Sequence, residues 1–195
     1  ASCSVEREAI DARRKPTVYR VYNVRFTVAE GSSRLGRLLS AGKIIPYAPK
    51  AWTEPEPVIA LRDRPVIVGS GPAGLFAGLT LARRGHRPII LERGQPVGER
   101  AQAVERLWAT GELDPESNMQ FGEGGAGTFS DGKLATRTGH PAIRYVLEAF
   151  VQFGADPQIL YLAKPHVGTD VIRACMVRIR KAALARGAQR SEERR

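Results

Sequence analysis

The chain has 195 residues, 43% of them hydrophobic, and a formal net charge of +10. That is enough apolar material for a packed core, and enough length for one domain or slightly more. Its two cysteines, Cys3 and Cys175, stand too far apart in sequence for a disulfide framework or a metal cluster. No apolar run is long enough to span a membrane, and the polar first residues do not read as a signal peptide. The expectation is a cytoplasmic protein whose start at Ala1 leaves room for chain upstream.

In chain order, Ile10 to Lys15 is a polar stretch that leads into an alternating run. Val18, Tyr22, Val24, Phe26 and Val28 share one side, with Arg20 against the pattern. That period predicts a half-buried strand. Ser33 to Ala41 reads as a short helix or a turn with Leu35, Leu38 and Leu39 as its apolar side. The proline-rich residues 46–64 show no period and read as a linker. Three regions follow: a small N-terminal module at 1–45, the linker at 46–64, and a main α/β domain at 65–195.

The main domain opens with the most informative stretch. Val66 to Val68 is a short β-branched run that predicts a buried parallel strand. Gly69, Ser70, Gly71, Pro72, Ala73 and Gly74 follow it directly as G-x-G-x-x-G. A helix continues to Gly85, and Ile89 to Glu92 gives a second strand. In such a unit Gly69 permits the turn, Gly71 lets backbone approach a pyrophosphate, and Gly74 lets helix and strand pack closely. The helix N-terminus offers free N–H groups and a positive dipole end, and Pro72 in its first turn wastes no donor. Glu92 stands where an acid binds a ribose hydroxyl, and the neighbouring Arg93 keeps a 2′-phosphate in play. A plain βαβ turn would also carry glycines; strand, glycines, helix, strand and acid in this order point to dinucleotide binding.

Ala101, Val104, Leu107 and Trp108 then share a helical face that Gly111 ends. Five glycines fall between Gly122 and Gly132, in the run Ser117 to Leu134. Such backbone suits close approach to a ligand, although a surface loop is the plainer alternative. Gly127 to Lys133 imitates a P-loop, but Leu134 stands where magnesium binding requires Ser or Thr, which argues against nucleotide hydrolysis. Ile143, Val146, Leu147, Phe150 and Val151 form a helical stripe stopped by Gly154. Ile159 to Leu162 reads as a strand. Thr169 or Asp170 caps a last helix with Ile172, Cys175, Ile179 and Ala183 inward, which makes Cys175 a core residue and not a nucleophile. His166 is a loop histidine, either structural or turned to a substrate.

The segment from Arg173 to Arg195 carries eight Arg or Lys against two Glu. A solvated basic face is favoured over a nucleic-acid surface, because no RNA-binding or helix-turn-helix pattern accompanies the charge. After Gly187 the sequence Ala188 to Arg195 has no apolar run. No further strand is expected there, and the end reads as truncated or frame-shifted.

Four stretches together resemble the bacterial FAD-utilising dehydrogenases, a group of NAD(P)/FAD-dependent oxidoreductases. They are Ile10 to Lys15, Val66 to Gly74, Ser117 to Leu134, and Leu162 to Asp170. The run Phe121 to Leu134 is the narrowest of them. The resemblance implies a Rossmann-like FAD-binding fold behind a small N-terminal α+β module. It implies that Gly69, Gly71, Gly74 and Glu92 bind the ADP half of FAD. It implies also that Gly124, Gly125, Ser130, Asp131 and Lys133 lie nearer the flavin half. Lys133 then either stabilises an anionic reduced flavin or simply pairs with Asp131. The expected function is an FAD-dependent oxidoreductase acting on a small molecule, with NAD(P)H as a candidate electron donor. The alternative is a non-catalytic nucleotide-binding or RNA-associated module. No catalytic acid or base stands out.

Overall fold

The computed structural model describes residues 2–28, 33–48, 52, 53, 56 and 61–192. The chain falls into two compact units: 1–54 with 135–148 and 157–165, and 55–134 with 149–156 and 166–195. Of the expected linker, residues 49–51, 54, 55 and 57–60 lie outside the described residues, as do 193–195 of the basic tail.

The first unit is built on an antiparallel hairpin of β1 (Cys3–Asp11) and β2 (Tyr19–Phe26), with a register shift between Val5 and Arg7. The short helix α1 (Ser33–Ser40) follows. The expectation of a half-buried strand needs correction, because every residue of β2 is exposed. A two-stranded ribbon has only one neighbour for each strand, and its apolar alternation does not by itself produce a core. The expected strand at Ile159–Leu162 also fails. Pro157–Leu160 is a 3₁₀ turn in which the N–H groups of Tyr161 and Leu162 both return to the carbonyl of Gln158, at 3.1 and 3.0 Å. Those donors are consumed locally, and among the described residues this segment forms a single bridge, between Leu162 and Glu8.

The second unit holds a three-stranded sheet, all parallel, of β3 (Val66–Val68), β4 (Ile89–Glu92) and β5 (Gln189–Glu192) in that order. The connection from β3 to β4 is α2 (Pro72–Arg83), ended by Gly85 at φ 82°. From β4 the chain passes through α3 (Val97–Thr110), ended by Gly111 at φ 77°, and later α5 (Thr169–Leu184). Helix α4 (Ala142–Gln152) ends just before Gly154, at φ 108°. The core lies where α2 packs on α5 and on the sheet: Leu75, Leu79, Ala82, Ile90, Ile172, Cys175, Met176 and Ile179 are all buried. This is the expected α/β, Rossmann-like arrangement.

Four further expectations change in this unit. β3, expected as a buried strand, has Val66 57% and Val68 80% exposed, because it lies at the edge of the described sheet. A strand does follow Gly187. β5 pairs in parallel with β4 although its sequence is Gln-Arg-Ser-Glu, because a ladder needs backbone groups and a delivered register, not apolar side chains. Its start is moored by the Gln189 N–H on Pro88 O at 2.8 Å, and by Arg64 Nη1 on Gln189 Oε1 at 2.8 Å. The buried face of α3 is Val97, Arg100, Ala103 and Val104, and Trp108, expected inside, is 63% exposed. The face is rotated because Arg100 is drawn into the interior. At α5 the residue before the helix is Gly168, and neither Thr169 nor Asp170 caps it; Thr169 Oγ1 donates instead to Ser130 O at 2.7 Å.

Two glycines in α2 fix how closely helix and sheet approach. A Cβ on Gly74 would overlap the carbonyl oxygen of Gly69, and one on Gly78 would lie 2.7 Å from Ile90 Cδ1. The first obstacle is backbone and cannot swing aside. Gly74→Ala is therefore expected to destabilise the protein by about 1–3 kcal/mol, as over-packing does. Gly71→Ala should be far milder, since no atom lies within 4 Å of a Cβ there. Urea unfolding midpoints of the two variants check the contrast.

Candidate functional site

The turn after β3 is built as the sequence requires. Gly69 sits at φ 92°, a conformation that glycine adopts without strain, and its N–H reaches Leu91 O at 2.7 Å. Gly71 precedes α2 with no side-chain cap, and Pro72 fills the first position of the helix. Pro72 and Ala73 are exposed, so the positive end of α2 faces open space. Gly71 has room around it, whereas Gly74 is jammed against the turn. One glycine is open and the other is closed by packing.

Glu92 ends β4 buried, with an exposure of 6%. Its Oε2 accepts the Ser70 N–H at 2.7 Å and the Ser70 hydroxyl at 2.8 Å, and its Oε1 accepts the Gly94 N–H at 2.8 Å. Burial is the largest single influence on this carboxyl and pushes its pKa up. The Gly94 and Ser70 donors, with the charge of Arg190, together outweigh burial, and the pKa settles below the ordinary value. Arg93, beside it, points elsewhere: it pairs with Glu116 at 3.3 Å and lies over the Phe121 ring at 4.6 Å.

The second glycine-rich run lies against the first. Gly124 N–H donates to Ser70 O at 2.8 Å, and a Cβ on Gly125 would touch Pro72 Cδ at 3.0 Å. The two stretches that the sequence marked as cofactor-binding are thus one surface. Within the second run, Ser130 accepts from Thr169 through its carbonyl, and its own hydroxyl donates to Gly127 O at 2.9 Å. Asp131 and Lys133 form an exposed ion pair at 2.6 Å, the pairing that the sequence left open for Lys133. His166 Nε2 lies 2.6 Å from Asp131 O, which ties its loop to the same turn.

What holds the second run in place was not foreseen. Arg100 is fully buried. Its Nε donates to Asn118 O at 2.6 Å and its Nη2 to Met119 O at 2.7 Å. Its Nη1 donates to Glu123 O, Gly125 O and Thr128 Oγ1 at 2.8, 2.9 and 3.1 Å. Desolvation lowers its pKa to about 10, so the guanidinium stays charged at neutral pH. This guanidinium and that of Arg173 both lie over the Phe129 ring, at 4.7 and 4.5 Å from its centre, and Arg173 Nε also reaches Thr128 O at 2.8 Å. Glu123, also fully buried, accepts the Val97 N–H at the start of α3 at 2.8 Å. Its other oxygen is 3.2 Å from Arg180 Nε, an ion pair without the alignment of a hydrogen bond. A signal for Arg100 was present: an arginine at helical spacing from Val97, Ala103 and Val104, in a stripe otherwise apolar.

Residues 64–152 match the FAD binding domain family. The resemblance to FAD-utilising oxidoreductases holds. A protein of Clostridium beijerinckii, described as uncharacterized, is 51% identical over 121 residues, which are 62% of this chain and 23% of that one. The digeranylgeranylglycerophospholipid reductase of Methanocaldococcus jannaschii is 31% identical over 87 residues, 43% of this chain and 22% of the reductase. The chain spans under a quarter of the length of either relative. The crystal structure of Thermovibrio ammonificans THI4 aligns with 66% of this chain and 38% of its own at 21% identity, with a TM-score of 0.40. Among the described residues no helix is long and apolar enough to cross a membrane.

Two variants separate the parts of this site. Arg100→Met takes the guanidinium away from five acceptors, three of them in buried hydrogen bonds and two in part-buried ones, and is expected to cost about 3 kcal/mol or more. Limited proteolysis should then cut first within 118–129, and urea unfolding should show the loss. Glu92→Gln tests the carboxylate. Because the folded pKa is depressed, ionised Glu92 stabilises the fold fully above 4.5, its ordinary value, and that stability is lost as pH falls through the lower folded value. The gap in stability between wild type and Glu92→Gln should therefore be widest near neutral pH and should narrow below 4.5, read by denaturant titration across that range.

Proposed function

We propose that the second unit binds the ADP half of FAD, as part of an FAD-dependent oxidoreductase that acts on a small molecule. The observation that carries the reading is the open backbone at Gly71, in front of an uncapped helix and next to a fixed carboxylate. The FAD binding domain match and the similarity to a named reductase support it.

The residues fit this cofactor. Gly69 to Gly74 present backbone and dipole to a pyrophosphate. Glu92, held by Ser70 and Gly94, keeps one acceptor site, on Oε1, for a ribose hydroxyl and repels a 2′-phosphate. Gly124 and Gly125 close over the same turn, with Ser130, Asp131 and Lys133 further along the run. FAD, once bound, supplies the two-electron redox chemistry; the protein orients it and shapes its field. NAD(P)H is the expected electron donor. The nucleic-acid alternative is weakened because four of the five basic residues of α5 and β5 are engaged within the protein. Arg173, Arg178 and Arg190 donate to Thr128 O, Phe153 O and Gly94 O, and Arg180 pairs with Glu123.

The test is ligand titration of this chain by NMR, with backbone amides as reporters. FAD and ADP should compete for one site and shift residues 69–74 and 92–94, while adenosine 2′,5′-bisphosphate binds more weakly than ADP. Gly71→Val should weaken FAD and ADP by at least tenfold with an unchanged unfolding midpoint. Equal binding by wild type and Gly71→Val would sink the reading.

A further inference from the structure

The first unit has a cavity that the cofactor reading does not use. Its volume is about 700 Å³, and it is lined by Val5, Glu8, Ile10, Arg20, Tyr22, Gln158, Tyr161 and Leu162. That size falls within the usual range for small-molecule sites. Two of its lining residues are tied by backbone, because the Glu8 N–H donates to Tyr161 O and the Ala163 N–H to Glu8 O, both at 2.8 Å. Hairpin and 3₁₀ turn are thereby joined beside the cleft.

The lining divides into two chemistries. Val5, Ile10, Leu162 and the rings of Tyr22 and Tyr161 are apolar surface. The charged part is Arg20 with Glu8. Their separation is 3.6 Å, beyond a hydrogen bond, and the two side chains differ in exposure: 15% for Glu8 and 72% for Arg20. Glu8 is turned into the fold, while Arg20 is largely exposed. The Tyr22 hydroxyl and Glu8 are its neighbours; a guanidinium carries five N–H donors in a plane that matches a carboxylate, so these two leave donors over for a ligand. We propose that this cleft binds a small apolar carboxylate, with Arg20 holding the carboxylate and Val5, Ile10, Leu162 and the two tyrosine rings taking its hydrocarbon part.

Charge decides between the candidate ligands. An alkyl ammonium would have to displace Arg20 from the approach to Glu8. A neutral alcohol would gain the apolar wall but lose the charged fork. A carboxylate meets Arg20 first and needs no rearrangement of Glu8. The site is independent of the FAD reading, since all its residues belong to the first unit.

The experiment uses hexanoate, hexylamine and hexanol as probes of the same chain length, followed by amide shifts in the whole 195-residue protein. Hexanoate should give saturable shifts at residues 5–10, 20–22 and 158–162. Arg20→Gln should weaken it at least tenfold, and Arg20→Lys should recover part of that loss. Arg20 is exposed, so both variants should fold, which unchanged shifts elsewhere verify. Leu162→Ala should weaken hexanoate while leaving acetate unaffected. No saturation by hexanoate, equal binding of hexanol, preferred binding of hexylamine, or indifference to Arg20→Gln would each overturn the proposal.

Discussion

The buried guanidinium of Arg100 is the contact on which the second unit depends. A charge with no exposure is costly unless every donor is met. Here the fork finds four main-chain carbonyls and a hydroxyl, all from residues 118–128. The exchange works in both directions. A glycine-rich run has little side-chain surface with which to hold itself, and its carbonyls need donors if it is to be buried. Arg100 supplies them from a helix, so the run takes one shape without needing strand or helix geometry. Glu123 completes the arrangement from within the run by accepting the first N–H of the same helix. Helix and loop thus each satisfy polar groups that the other would leave bare.

From that anchor the proposed cofactor surface follows. Once residues 122–125 are fixed, Gly124 N–H meets Ser70 O and Gly125 rests on Pro72. The turn after β3 is therefore held from two sides. Glu92 takes Ser70 through its N–H and hydroxyl, and the second run takes Ser70 through its carbonyl. Ser70, the least specified position of G-x-G-x-x-G, becomes the point where both halves of the site meet. Gly71, next to it, remains free. A preorganised turn with one open residue is what a close-fitting anionic ligand requires, because little of its binding energy then goes into ordering the backbone.

The legibility of the sequence follows the range of the forces involved. The βαβ unit is readable because each of its determinants is local: β-branched residues for β3, the φ of Gly69, the stop at Gly85. Helices α3, α4 and α5 are readable from period and glycine stops, although the inward face of α3 is not, since it depends on carbonyls twenty residues away. β5 escapes notice because Gln-Arg-Ser-Glu carries no strand signal; its pairing is set by where α5 and Gly187 deliver the backbone. In the first unit the error runs the other way. The alternation of β2 is a real strand signal, but period predicts conformation and not burial, and a two-stranded ribbon covers neither of its faces.

The basic residues of the last helix and strand show why net charge is a weak guide to partners here. A count of eight cations against two acids suggests a binding face for an anionic polymer. The structure turns much of that charge inward or along the surface. Arg173 lies over Phe129, Arg180 faces the buried Glu123, and Arg190 reaches Gly94 O while its charge helps to hold Glu92 ionised. Each of these contacts ends on the glycine-rich run or on the turn after β4. Arginine suits that task because its long stem crosses apolar packing while its fork meets several carbonyls at the far end. The positive charge of this segment is thus read as a consequence of building a site from bare backbone, which has many carbonyl oxygens to satisfy and few side chains with which to do it.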